Sequence, residues 1–233
     1  MSIENENSLL NTKVVYDLTK FTHLDYPNQL ACIVWFSGCN MRCSYCYNAE
    51  IVYAKSGALT LNDVLEFLKK RVGLLDGVVL SGGEATTHHL VEFAQEVKKL
   101  GFKIKLDTNG TNPKQIVELI EKGLLDYIAL DYKAPQDKFL HVTKSNQFEE
   151  FCKTLEYLLS SELNFEVRTT LHSDLLNERD INKIISDLLK RGYKKTYYIQ
   201  DFLDTGESIG HLKSASYKFD KDLLLDSLDV VFR

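Results

Sequence analysis

The chain has 233 residues, of which 44% are hydrophobic and 26% are charged, which suits one sizeable domain with its own core. Its formal net charge of −5 argues against a protein that binds nucleic acid, which would need a basic surface. The longest apolar run, Ala31–Phe36, is far shorter than the about 20 residues of a membrane-spanning helix. The amino terminus is polar and acidic, unlike an export signal, so we expect a cytoplasmic protein that does not bind membranes.

Strand and helix patterns alternate along the chain. The predicted strands are Leu30–Phe36, Gly77–Leu80, Lys103–Asp107, Tyr127–Asp131, Asn164–Thr170 and Thr196–Gln200. The predicted helices between them are Leu61–Arg71, Thr87–Leu100, Pro113–Glu121, Phe148–Leu159 and Ile181–Arg191. Six strands with helical crossovers predict an α/β fold: a partial, TIM-like (β/α)6 barrel in which a parallel sheet carries outer helices. A doubly wound open sheet remains the alternative.

We expect a single folded domain with two flanking segments. Residues 1–12 are predicted to form a flexible tail, residues 13–202 the core domain and residues 203–233 a carboxy-terminal extension. An apolar stretch at about residues 221–231 of the extension predicts a helix that docks on the core.

Residues able to carry chemistry follow every predicted strand. In chain order they lie at 39–46, 81–84, 107–110, 131–133, 172 and 200–201. Because the carboxyl ends of parallel strands share one edge of a sheet, these segments are predicted to share one rim.

Three of the five cysteines, Cys39, Cys43 and Cys46, have the spacing C-x3-C-x2-C. Thiolates are the ligands of iron–sulfur clusters, and a set of three leaves one iron of a [4Fe–4S] cluster open to a small molecule. Such an iron can be chelated by the amino and carboxylate groups of S-adenosylmethionine (SAM), which radical chemistry from SAM requires. Structural zinc needs a fourth ligand, and both Cys32 and Cys152 lie in apolar patterns typical of packing residues.

These residues resemble the signature of the radical SAM superfamily, with Tyr45 as the aromatic residue before the last cysteine. Gly82-Gly83-Glu84, directly after a short strand, resembles the family's GGE motif, although Ala85 replaces the usual proline. Further segments are similar to anaerobic ribonucleotide reductase activating proteins, relatives of pyruvate formate-lyase activating enzyme. They are residues 21–27, 38–48, 105–110, 129–135 and 168–172, and the resemblance covers about residues 14–200.

The resemblance implies an activase that reductively cleaves SAM at the cluster and generates a glycyl radical on a partner enzyme. Anaerobic ribonucleotide reductase is the expected partner, and a flavodoxin or ferredoxin the expected electron donor. The residues implied in SAM binding are Tyr45, Gly82, Gly83, Glu84, Asp131, Lys133, Arg168 and His172. The resemblance also implies a Na⁺ or K⁺ ion held by Asp107 and Asp131, since two carboxylates facing one pocket repel unless a cation or a lysine lies between them.

Two other hypotheses stay open. A radical SAM enzyme that acts on a small molecule or a peptide, such as the deazaguanine-forming synthase, would keep the cofactors and change the substrate. A non-catalytic adaptor would use the three cysteines only to bind a structural metal, and metal analysis would distinguish it.

Overall fold

The computed structural model describes residues 9–233. Eight strands in this part of the chain form a sheet in the sequential order β1-β2-β3-β4-β5-β6-β7-β8. The residues group into two compact units. The first unit contains the chain up to Asn40, Glu50–Thr108 and Asn112–Ile128, and the second contains Met41–Ala49, Asn109–Thr111 and Ala129–Arg233.

The strands and helices have the following bounds. The strands are β1 Val15–Thr22, β2 Ala31–Phe36, β3 Gly77–Gly82, β4 Lys103–Thr108, β5 Tyr127–Asp131, β6 Phe165–Leu171, β7 Tyr197–Asp201 and β8 Val230–Phe232. The helices are α1 Ala49–Tyr53, α2 Leu61–Lys69, α3 Val91–Lys99, α4 Pro113–Glu121, α5 Gln136–Thr143, α6 Phe148–Ser160 and α7 Glu178–Lys190. Two 3₁₀ turns cover Ala85–Thr87 and Lys221–Leu223.

Local sequence explains where several helices begin. The Thr60 side chain accepts a hydrogen bond from the Asp63 amide and caps α2, and Asn112 caps α4 ahead of Pro113. Asn177 caps α7 in the same way, with a reciprocal hydrogen bond from its own amide to Asp180.

Within residues 9–233, no helix is long and apolar enough to cross a membrane.

In the first unit, β2, β3 and β4 run parallel and in register, so their carboxyl ends lie at one edge. Five of the six residues of β2 are buried, as expected for a strand covered on both faces. Strand β1 pairs antiparallel with β2. Tyr26, Ile33 and Val79 belong to a buried apolar cluster against the sheet.

In the second unit, β6, β7 and β8 run parallel. A cluster of aromatic rings also packs within this unit. The Tyr132 and Phe151 rings meet edge-on at 4.6 Å between centroids, and Phe139 meets Phe148 at 5.2 Å. Such edge-on pairs are a favourable geometry for buried aromatic side chains.

The predicted α/β fold with a mainly parallel sheet is confirmed. Its strands follow chain order without the reversal that defines a doubly wound sheet, so the winding is that of a partial (β/α) barrel. The sheet is open, with β1 and β8 at its two ends. These two end strands add to the six that the sequence predicted.

The prediction of a docking helix at 221–231 is wrong. The segment forms one 3₁₀ turn and then β8, whose Val230 and Val231 pair with Tyr197 and Tyr198. Valine favours strands, and β7 would otherwise present unpaired backbone groups at the sheet edge.

The predicted flexible tail falls only partly within the described residues. Residues 1–8 lie outside them. Of residues 9–12, Leu10 is buried and the other three are exposed, and the flexibility of the tail stays a prediction.

Candidate functional site

The first cysteine, Cys39, belongs to the first unit and follows β2 after a short turn. Gly38 adopts a positive φ of 79°, which glycine tolerates without strain, and its amide donates to the Ile51 carbonyl at 2.8 Å. The adjacent Ser37 amide donates to the Val14 carbonyl at 2.9 Å. These backbone hydrogen bonds fix the chain directly before Cys39.

The Gly82-Gly83-Glu84 turn, also in the first unit, packs against the same residues. A Cβ at Gly83 would lie 1.8 Å from the Gly38 carbonyl oxygen, so no side chain fits there. The Glu84 amide donates to that oxygen at 2.9 Å, and the Gly83 amide donates to the Phe36 carbonyl at 2.9 Å. Gly83 therefore allows the turn to contact the backbone beside Cys39.

The Glu84 side chain is buried and accepts several hydrogen bonds. Its Oε1 accepts from the Thr86 amide at 3.2 Å, the Thr86 hydroxyl at 2.6 Å and the Thr108 hydroxyl at 2.7 Å. Thr86 and Thr108 are functional candidates that sequence reasoning missed. Only Thr86 had a local signal, because it follows Glu84 at the position that an N-cap side chain reaches.

Asp107, at the end of β4, has a lysine partner in its own unit. The buried Lys105 ammonium lies 2.5 Å from Asp107 Oδ1, and the Ser81 hydroxyl donates to Oδ2 at 3.2 Å. A lysine, like a cation, can offset the repulsion between two carboxylates that face one pocket. The monovalent-cation site of Asp107 and Asp131 remains a prediction.

His88 follows the GGE turn and lies near the cysteine segment. Its Nε2 lies 2.7 Å from the Ser37 carbonyl, which can only accept, so Nε2 carries the proton. The ring stacks on Phe36 at 5.6 Å, and burial lowers the pKa of His88. The histidine therefore supports the turn that leads to Cys39.

Cys43 and Cys46 lie in the second unit. Cys43 is buried and Cys46 is partly exposed, and the Cys46 amide donates to the Cys43 carbonyl at 3.0 Å. Burial raises the pKa of the Cys43 thiol to about 11, and the positive charge of Lys133 opposes this shift. A metal ligand must be a thiolate, so Lys133 favours the ligating form of Cys43.

A charged cluster in the second unit comprises Asp131, Lys133 and Arg168. The Lys133 ammonium lies 2.9 Å from Asp131 Oδ2, and Arg168 Nε lies 2.5 Å from Oδ1. Burial opposes ionisation of Asp131, but Arg168 and Lys133 outweigh it and hold the pKa of Asp131 well below its usual range. Burial likewise opposes the charge on Lys133, yet Asp131 raises the pKa of Lys133 well above its ordinary value.

Two of the predicted SAM-binding residues carry buried polar atoms that lack a partner among residues 9–233. They are Nδ1 of His172 and the Tyr45 hydroxyl, which lies beside the Cys43 thiol and lowers the pKa of that thiol. The Tyr45 ring lies 5.9 Å from the Lys133 ammonium, and His172 packs edge-on against Phe202 at 4.8 Å. Because burying an unpaired polar atom costs free energy, both atoms are suited to a bound ligand.

Cys32 occupies the position expected of a packing residue, whereas Cys152 is only partly buried. Cys32 is fully buried in the middle of β2, and burial raises the pKa of its thiol to about 12. Cys152, in α6, contacts Arg191 at 3.3 Å.

A family model for the Radical SAM superfamily matches residues 33–188. The chain belongs to the radical SAM superfamily. Membership implies a [4Fe–4S] cluster and SAM as cofactors. The site residues fit both groups, because three cysteines lie close along the chain and the buried Tyr45 hydroxyl and His172 Nδ1 could accept a hydrogen bond from a ligand or donate one to it.

Two curated relatives of this radical SAM chain are named as activases of other enzymes. One, MJ1227 of Methanocaldococcus jannaschii, is named a glycyl-radical enzyme activating enzyme and is 32% identical over 181 residues, 73% of each chain. The other, the pyruvate formate-lyase-activating enzyme of Clostridium pasteurianum, is 27% identical over 167 residues, 67% of this chain and 69% of its own.

A solved structure supports the fold of the radical SAM chain. Streptococcus suis SuiB bound to S-adenosylmethionine matches with a TM-score of 0.66 and 13% identity, over 86% of this chain and 49% of SuiB. The chain thus spans about half the length of the solved structures that it matches first.

Proposed function

We propose that this protein is a glycyl-radical enzyme activase, with anaerobic ribonucleotide reductase as its partner. The observation that carries the proposal is the 32% identity to MJ1227 over 73% of both chains. The choice of anaerobic ribonucleotide reductase as the partner is supported by less of the sequence, namely the five segments that resemble its activating proteins.

In this proposal Cys39, Cys43 and Cys46 hold three irons of a [4Fe–4S] cluster, and SAM binds at the fourth. When bound, the cluster supplies one electron that breaks a carbon–sulfur bond of SAM and leaves a radical able to take a hydrogen atom from a glycine. The chain itself supplies charge, hydrogen bonds and shape. An external flavodoxin or ferredoxin is the proposed electron donor.

The charged cluster of the second unit would bind the polar end of SAM. Lys133 and Arg168 are both positively charged and both contact Asp131. Charged donors of this kind bind an anionic group such as the methionine carboxylate through charge-assisted hydrogen bonds. Tyr45 and His172 would then complete the hydrogen bonding of the ligand through their unpartnered atoms.

The GGE turn would receive the amino group of SAM. Glu84 is held in place by Thr86 and Thr108, so its carboxylate and the backbone beside it need little reorganisation on binding. Preorganised groups of this kind lower the cost of binding a charged ligand. A cation between Asp107 and Asp131 remains part of the proposal only as an optional neutralising ion.

The proposal is tested by incubating the anaerobically reconstituted protein with SAM, reduced flavodoxin and candidate glycyl-radical enzymes, anaerobic ribonucleotide reductase first. We expect the electron paramagnetic resonance doublet of a glycyl radical in the partner. Cys43→Ala should abolish the signal, whereas Cys152→Ala, a matched cysteine change outside the motif, should retain it.

The small-molecule alternative is also supported by a curated match. The 7-carboxy-7-deazaguanine synthase of Aquifex aeolicus is 25% identical over 56% of this chain. SAM cleavage without a glycyl radical in any partner, accompanied by a modified small molecule, would favour this alternative. Uptake of zinc alone would favour the structural adaptor.

A further inference from the structure

Residues 208–213, which we name the C-terminal clamp, lie in the extension that matches no family motif. Both the clamp and Met41–Ala49 belong to the second unit. The Ile209 amide donates to the Cys46 carbonyl at 2.9 Å, and the Gly210 amide donates to the Ser44 carbonyl at 2.8 Å. The clamp therefore binds the backbone on both sides of Tyr45.

The same short segment is also held by the end of α5. The Arg42 amide donates to the Thr143 carbonyl at 2.8 Å, and the Ser44 amide donates to the Val142 carbonyl at 2.9 Å. Helix α5 therefore holds residues 42–44, whereas the carbonyls of Ser44 and Cys46 are bound by the clamp.

Gly210 is required for this approach. A Cβ at position 210 would lie 2.8 Å from both the Cβ and the carbonyl oxygen of Ser44. The carbonyl oxygen is part of the backbone and the Cβ is bonded directly to the backbone, so neither atom can rotate away as the end of a long side chain could. Ser44 is also buried, which leaves it no free space to move into. Any larger residue must push the clamp away from Ser44.

The clamp has its own internal structure. The Ser208 side chain is buried, and its Oγ accepts the Leu212 amide at 2.7 Å, while the His211 amide donates to the Ser208 carbonyl at 2.9 Å. This turn places the Lys213 carbonyl 2.8 Å from Nε2 of His172. Since a carbonyl only accepts, Nε2 carries the proton, and in the neutral ring the buried Nδ1 can accept a hydrogen bond.

The chain after the clamp is anchored independently. Asp174 accepts the Ser216 amide at 2.9 Å and the Tyr217 amide at 2.8 Å, and Glu178 accepts the Asp220 amide at 2.7 Å. These bonds tether the extension beside His172 even if the clamp itself is loosened.

We propose that the C-terminal clamp is a positioning element for SAM. It holds the backbone around Tyr45 and fixes the proton position on His172, so that the two buried unpartnered polar atoms, the Tyr45 hydroxyl and His172 Nδ1, face the ligand in a fixed arrangement. This inference rests on the cofactor part of the proposed function and extends it to a segment outside the family motifs.

The test is a SAM titration of the reconstituted, reduced protein, followed by the change in the electron paramagnetic resonance spectrum of the cluster. Gly210→Ala is expected to raise the Kd for SAM about tenfold, equivalent to about 1.4 kcal/mol. Ser208→Ala, which removes one hydrogen bond inside the clamp, should raise it by a smaller factor, about threefold, or roughly 0.65 kcal/mol. Glu207→Ala, an exposed change just outside the clamp, should leave the Kd unchanged.

Wild-type Kd values in both Gly210→Ala and Ser208→Ala would overturn the clamp proposal. If Gly210→Ala does not fold or take up iron, the milder Ser208→Ala decides the question. The titration needs no partner enzyme. Failure to find a glycyl radical in a partner therefore does not affect the test of the clamp proposal. A wild-type protein whose cluster spectrum does not respond to SAM would instead refute the proposed function, and the clamp proposal with it.

Discussion

The GGE turn and the charged cluster are built in different ways, although both are predicted to bind SAM. In the first unit, the backbone at Gly83 packs directly against the backbone at Gly38, and there is no room for a Cβ beside the Gly38 carbonyl. In the second unit, Asp131, Lys133 and Arg168 contact one another through charged side chains. The turn should therefore be sensitive to added volume, and the charged cluster to lost charge.

The largest effect on stability is expected from Asp131→Asn. The change removes the negative charge that Lys133 and Arg168 contact, and breaking these largely buried ion pairs should lower the free energy of unfolding by about 3 kcal/mol. Urea unfolding of the apoprotein measures it. Glu66→Gln breaks an exposed pair with Lys69 and should change nothing measurable. Equal stability of wild type and Asp131→Asn would show that the cluster is not held by charge.

A smaller loss is expected from Gly83→Ala, which should cost about 2 kcal/mol because the new Cβ forces the turn away from Gly38. The displacement lies next to Cys39, so iron taken up on reconstitution should fall as well. Gly101→Ala is the comparison, since its backbone has a positive φ but no atom lies near the added Cβ. Gly101→Ala should lose some stability and keep its iron; the same iron content in both variants would contradict close packing at Gly83.

The smallest effect is a dependence on pH in the extension. Hydrogen bonds from the Ser216 and Tyr217 amides lower the pKa of Asp174. Because the pKa of Asp174 is lower in the folded than in the unfolded protein, its ionised carboxylate stabilises the folded extension at pH values above the ordinary pKa of about 3.9. This stabilisation is lost as the pH falls through the lowered pKa of the folded state. Exchange protection of the Ser216 and Tyr217 amides, corrected for intrinsic rates, should therefore decrease below about pH 4.

Asp174→Asn is the control for this dependence and should remove it. The Glu84 amide, bound to the Gly38 carbonyl in the GGE turn, should keep its protection over the same range. If the amides of Ser216, Tyr217 and Glu84 all lose exchange protection over the same pH range, the protein is unfolding as a whole in acid. The predicted difference between the extension and the GGE turn would then be wrong.

Local patterns in the sequence predict much of the fold. Thr60 and Asn112 mark helix starts, and the apolar runs of β2 and β3 mark buried parallel strands. The edge strands β1 and β8 were missed, because a strand that pairs on one side only has a weaker pattern of burial.

The site is predictable only where motif residues lie close along the chain. The cysteines and Gly82-Gly83-Glu84 are of this kind. The bond of Thr108 to Glu84 and the approach of Gly210 to Ser44 join residues far apart in sequence. Such contacts follow from the path of the chain through the sheet, and no local pattern of residue types reports them.

We propose that Cys39, Cys43 and Cys46 hold a cluster that supports radical chemistry from SAM. The most direct measurement is formation of 5′-deoxyadenosine by the anaerobically reconstituted protein after reduction in the presence of SAM. We expect formation in the wild type and in Cys152→Ala, and its loss in Cys43→Ala. A wild-type protein that carries the cluster and binds SAM but forms no 5′-deoxyadenosine would contradict the claim.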